Sequence, residues 1–374
     1  MGSMTSRAFA RETDSARSRV STQHRIEGLD LLRGVAILLV LIRHSWPEAV
    51  GGGGIVGVVI FFTLSGYLIT GLLVADLRQY GKVRYGRFYR NRAIRLIPAL
   101  VFLLIGFIIV EGILDVSGTR GSVVRSVLVS LTYTMNIPGF DHGSANLSHL
   151  WTLANEEQFY LIWPLILAVG IRFRRMRIVI ALASGGLILW LVATVLSTSD
   201  RIDRAYDHPA IWTIAMVIGA AAQLGQASID RHLRGRRATI GAMVGGAGLA
   251  ALALVPGAKE SVVFYLVGGA LIGALTVLVI WKLRVIPTVT AVWKPLLGLG
   301  VISYAAYLWN YPITWWLRDA GVDAWAPLAV VLTIVAATVS WFAVERPMNA
   351  WKRHLDARAR LRNLDPVLAG STAR

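Results

Sequence analysis

The 374-residue chain has no cysteine, which excludes disulfides, thiolate metal sites and any acyl-cysteine intermediate. Charge is scarce too: only 16% of residues are Asp, Glu, Lys or Arg, and acidic residues number 21. The sequence also lacks the alternation of apolar and polar residues over about ten positions that marks an outer-membrane barrel. What it has instead is 55% hydrophobic residues and a mean hydropathy of +0.59, beyond what a soluble core requires. The apolar residues form repeated continuous runs that cross a hydrocarbon layer of roughly 30 Å as helices rising about 1.5 Å per residue. The expected fold is all-α, a polytopic membrane helical bundle.

Hydropathy predicts ten spans, at 29–46, 54–76, 93–114, 150–171, 178–197, 210–227, 238–256, 261–281, 296–317 and 325–344. With both termini cytoplasmic, 31 of the 38 basic residues fall inside, and only Arg43, Arg120, Arg125, Arg201, Arg204, Lys259 and Arg318 fall outside, a positive-inside distribution. A further apolar stretch, 121–137, would invert every later loop if it crossed, so it is expected as an outer interfacial or re-entrant segment. No cleavable signal peptide is apparent. Residues 1–24 and 351–374 are expected as cytoplasmic tails around a membrane domain spanning 25–350, with no second soluble domain and no internal repeat. The excess of +17 charges is explained by this sorting and implies no nucleic-acid partner.

Ionisable residues inside spans are costly and often functional. In LDLLRGVAILLVLIRHSW, Arg33 and His44 lie eleven steps apart, roughly 16 Å along a helix and about 20° around it, so one stripe carries a cation at one end and an imidazole at the other. A snorkelling anchor and an interfacial histidine are the plainer alternatives. In HLWTLANEEQFYLIWP, Glu156 and Glu157 point about 100° apart, so one at most shares a cavity with His44 and orients it as a general base; both reaching outer water is the alternative. Arg92 and Arg95, in FYRNRAIRLIP, form a cationic face suited to phosphate oxygens if helical, or simply meet anionic lipid heads. Gly51 to Gly54 make a tight hairpin without a phosphate-loop lysine. Ser65 lies inside a span and is no nucleophile elbow, and Gly66 is expected as a helix-contact glycine. Ser303, Tyr304, Tyr307 and Asn310 lie on the ninth span, and Glu345 ends the tenth.

Taken together, LDLLRGVAILLVLIRH, GVVIFFTLSGYLIT, FYRNRAIRLIP, HLWTLANEEQFYLIWP, ISYAAYLWNYPI and VERP resemble, in order and spacing, the acyltransferase family 3 membrane proteins over about residues 24 to 350. That resemblance implies a ten-helix enzyme of the bacterial inner membrane, which transfers an acetyl or other short acyl group from acyl-CoA to a hydroxyl of a carbohydrate, glycan or macrolide. It implies a catalytic His44 within an Arg-x10-His pair, Arg33, Arg92 and Arg95 on the acyl-CoA donor, and matches for Glu156 and Glu345. Ser303, Tyr304, Asn310 and Glu345 are candidate acceptor or structural positions; no metal and no resident cofactor is expected. Asn310 stands where the family often has histidine, which removes a second catalytic histidine from that helix. A composition of 33 arginines among 38 basic residues resembles a high-GC genome and keeps a macrolide acceptor open beside a cell-surface glycan. A proton-coupled exporter using the same His, Glu and Arg is the rival reading; it predicts inverted halves. A non-enzymatic scaffold gives no reason for the Arg33 and His44 alignment.

Overall fold

The computed structural model describes residues 26–356; the expected tails 1–24 and 357–374 lie outside the described residues. Thirteen α-helices and a last helical segment over 346–356 make up these residues, with short 3-10 and π turns and no strand among them. In chain order they are α1 (Glu27–Ser45), α2 (Gly53–Tyr80), α3 (Tyr85–Phe107), α4 (Val123–Leu131), α5 (Trp151–Arg172), α6 (Met176–Ser197) and α7 (Pro209–Leu224). They continue as α8 (Gln226–His232), α9 (Gly235–Ala253), α10 (Gly269–Leu283), α11 (Lys294–Val301), α12 (Ser303–Asp319) and α13 (Trp325–Ser340).

Five helical stretches are long and apolar enough to cross a membrane: Gly53–Tyr80, Tyr85–Leu114, Met176–Ser197, Phe264–Leu283 and Trp325–Asp356. The number reaches seven if two bent pairs each count as one span, α7 with α8 at 77° and Ala291–Val301 with α12 at 66°. Among the helices at expected spans, α1, α5 and α9 fall outside that set. The first holds Glu27, Asp30, Arg33 and Arg43 in 19 residues; the second carries Asn155, Glu156, Glu157 and Gln158 in succession.

The stretch expected to lie along the outer face contains only α4, nine residues long, or about 14 Å, too short to cross. The last helical stretch continues to Asp356, where its carboxylate takes ion pairs from Arg87 and Arg90, so the first six residues of the expected tail 351–374 are helical.

Small residues set the tightest crossings, as expected where lipid removes the hydrophobic drive between helices. A Cβ on Gly66 of α2 would strike the Met216 carbonyl of α7, and one on Gly219 of α7 would strike the Thr63 carbonyl of α2. Gly66 is therefore the helix-contact glycine that the sequence led us to expect. Gly300 of α11 packs on the Asp30 carbonyl in the same manner and Gly34 on that of Leu296, which holds α1 against α11.

Prolines 98, 164 and 312 lie inside α3, α5 and α12. A proline lacks the N–H that would satisfy the carbonyl four residues earlier, and in a membrane such a carbonyl needs another donor. Tyr89 supplies one to the Tyr160 carbonyl before Pro164, at 3.3 Å. His149 supplies the other to Leu308 before Pro312, at 3.1 Å.

Candidate active site

His44 closes the last turn of α1 beside a cavity of about 160 Å³ that it lines with residues of α2, α12 and three loops. Its Nδ1 lies 2.6 Å from Asn310 Oδ1, while Asn310 Nδ2 donates to Thr333 of α13 at 3.3 Å. This arrangement turns the amide oxygen toward the imidazole. With Nδ1–H donating to that oxygen, the neutral ring keeps its lone pair on Nε2.

Tyr311 touches two imidazoles, edge-on to His44 at 5.1 Å and stacked on His149 at 5.0 Å. His149 sits in the 3-10 turn Ala145–Leu150 ahead of α5 and is 4% exposed. Because Nε2 donates to the carbonyl freed by Pro312, its Nδ1 has no donor facing it. Burial, with His44 nearby, pushes its pKa down to about 3, so this second ring is neutral. Tyr304, Tyr307 and Tyr311 form a stripe along α12, spaced three and four residues apart. Their hydroxyls bond Leu96, His149 and Ser148 respectively, so α12 is tied to α3 and to the turn that bears His149.

A second polar layer is formed where α2, α3 and α5 meet. Arg92 lies over the Tyr160 ring at 3.3 Å, donates to Glu157 at 2.7 Å and stands 3.8 Å from Glu156. Glu156 in turn accepts from Ser65 of α2 at 2.7 Å. The expectation that Glu156 orients His44 is corrected by this geometry: its partners are Ser65 and Arg92, and the group on the histidine is Asn310. Both glutamates reach the same guanidinium from adjacent positions because its fork of N–H groups donates in two directions.

Arg95, one turn along α3, is exposed and forms no ion pair among the described residues, though Arg33, Arg92, Tyr160 and Glu156 all lie within its electrostatic reach. Arg33 is paired with Asp30 at 2.7 Å. Of the three arginines expected on a donor, Arg95 alone is uncommitted. Glu345, 6% exposed and with Oε1 lacking a donor among the described residues, lies within electrostatic reach of the same guanidinium. Ser303 is buried at the bend between α11 and α12. Among the described residues no group of three His, Asp or Glu is placed to hold a metal ion.

A family model, Acyltransferase domain, matches residues 26–345. The chain belongs to this acyltransferase family. Curated relatives include a putative peptidoglycan O-acetyltransferase, YrhL, of Bacillus subtilis strain 168, 29% identical over 88% of this chain and 56% of its own length. O-acetyltransferase OatA of Staphylococcus aureus strain NCTC 8325 is 28% identical over 87% of the chain and 57% of its own. Peptidoglycan O-acetyltransferase OatA of Listeria monocytogenes gives 28%, 87% and 56%. The acyltransferase chain thus spans somewhat more than half the length of these relatives. No solved structure matches it. The exporter reading finds no support in these matches.

Sequence reasoning passed over two residues of this candidate site, His149 and Tyr311. Both were signalled: Tyr311 extends the tyrosine stripe by one heptad from Tyr304, and a proline at 312 announces a free carbonyl one turn earlier that some buried donor must meet.

Proposed function

We propose that the chain is a membrane O-acyltransferase that moves an acetyl or short acyl group from acyl-CoA to a hydroxyl of a glycan. The observation that carries this reading is the His44 and Asn310 pair, 2.6 Å apart, which leaves Nε2 bare beside a cavity. An acceptor hydroxyl entering that cavity gives its proton to His44 Nε2 as its oxygen attacks the thioester carbonyl. The new C–O bond forms, the C–S bond breaks, and the CoA thiolate leaves, to be protonated by the imidazolium or by water. Relatives named as peptidoglycan O-acetyltransferases favour a glycan acceptor over a macrolide.

Arg95 binds donor phosphate in this scheme, with Arg92 and Arg33 held in place by their carboxylates. The stretch from Arg33 to His44, roughly 16 Å by helix rise, is then bridged by the donor's pantetheine arm. Such a path fits ten spans in a bacterial inner membrane with both termini in the cytoplasm, His44 near the outer face and Arg95 near the inner. α1, α5 and α9 supply the three spans beyond the seven that apolarity identifies. Purified protein given acetyl-CoA and a glycan panel should release free CoA thiol and form a glycan ester. His44→Ala should abolish both; retained transfer in that variant overturns the mechanism.

A further inference from the structure

Of the seven basic residues that the ten-span arrangement leaves on the outer side, three converge on the cavity that His44 lines: Arg43, Lys259 and Arg318. None of the three forms an ion pair among the described residues. Glu48, Glu260 and Asp319 neighbour them in sequence but are exposed, and only Glu260 offsets Lys259 electrostatically. Arg43 donates to the Gly51 carbonyl at 3.1 Å, which fixes it as part of the wall. Lys259 stands over the Tyr206 ring at 4.1 Å, and Arg318 over Trp315 at 4.6 Å. Burial and the Arg43 charge push the Lys259 ammonium below its ordinary pKa. Like charges gathered against low-dielectric walls focus a positive potential there and favour an anion.

A surface of this kind is not needed to hold a neutral hydroxyl compound. It is also at the wrong end of α1 for the donor phosphates. We propose that the cavity is an oxyanion subsite for the acceptor, so that the sugar acylated by this enzyme carries a carboxylate or phosphate near the reacting hydroxyl. Lys259 and Arg318 take the anion, and Tyr206, Tyr311 and Trp315 offer faces to the sugar ring. The space, equal to roughly five waters, admits one charged group and part of a ring. This inference rests on the acyltransferase reading, since it identifies the cavity as the acceptor's.

Methyl β-glucoside, methyl β-glucuronide and methyl β-glucoside 6-phosphate share a ring and differ at C6, so they separate neutral, carboxylate and phosphate probes. Binding to the full-length detergent-purified protein, measured by calorimetry without donor, should favour one or both charged probes by about tenfold or more. The preference should shrink with added salt. Lys259→Gln combined with Arg318→Gln should erase the difference between charged and neutral probes. Equal binding of all three, or of none, overturns the proposal, and this comparison needs no variant to fold. The stronger charged probe identifies the oxyanion. If charged probes bind but no acceptor releases CoA thiol from acetyl-CoA, the subsite stands and the transfer reading fails; transfer without charge preference gives the reverse.

Discussion

Asn310 shows how a single side chain changes a proton's position. An amide oxygen accepts from Nδ1–H and cannot take the proton away, so the imidazole keeps one tautomer throughout the cycle. Asn310→Leu should therefore lower kcat by an amount within the roughly 10²–10⁴ that a general base contributes, with donor KM little altered, whereas Asn310→Asp should retain activity because it still accepts from Nδ1. Steady-state kinetics on both variants check this, and equal loss in the two would mean that Asn310 acts by packing. The two arginines of the Arg-x-x-Arg string should part company in the same way. Arg92→Gln strands two carboxylates and should cost on the order of 3 kcal/mol of stability, read as a lowered Tm. Arg95→Gln should leave Tm unchanged and raise the apparent KM for acyl-CoA about tenfold, since phosphate contacts are uniform binding.

Among elements, those that sequence made legible were those whose signal is local. Apolar runs marked α2, α3, α6 and α13, and the glycine at 66 marked a crossing. Periodicity also joined Arg33 to His44 on one helix. The partner of His44 was not legible, because it lies 266 residues away and nothing in the spacing within α1 or α5 encodes a contact between α1 and α12. Glu156 was assigned to His44 by depth in the membrane alone; its azimuth on α5 turns it to Ser65 and Arg92 instead. The α2 and α7 crossing supplies a test of the packing. Gly66→Ala places a methyl group on the Met216 carbonyl and should destabilise by about 1–3 kcal/mol, as overpacking does, while Gly185→Ala, which meets nothing within 4 Å, should leave Tm unaltered. Similar Tm values for the two variants would show that the helices do not approach so closely.

Across the whole molecule, the proposed chemistry requires a donor on one side of the membrane and an acceptor on the other, so topology can be tested separately from activity. Absence of native thiols makes single-cysteine labelling clean. An impermeant maleimide added to intact cells should label cysteine placed at the exposed positions Ala49 and Phe140 but not at the exposed positions Gln79 and Arg236. Labelling at Arg236 from outside would require an odd number of crossings before it and would put the arginine-rich loops on the acceptor side.

The pairing of His44 with Asn310 also has a consequence in time. At about 5–20 residues per second, the ribosome adds Asn310 roughly 13 to 53 seconds after His44, the two being 266 residues apart. Throughout that interval the imidazole has no group to set its tautomer. A chain cut before α12 would therefore carry the histidine without the partner that orients it.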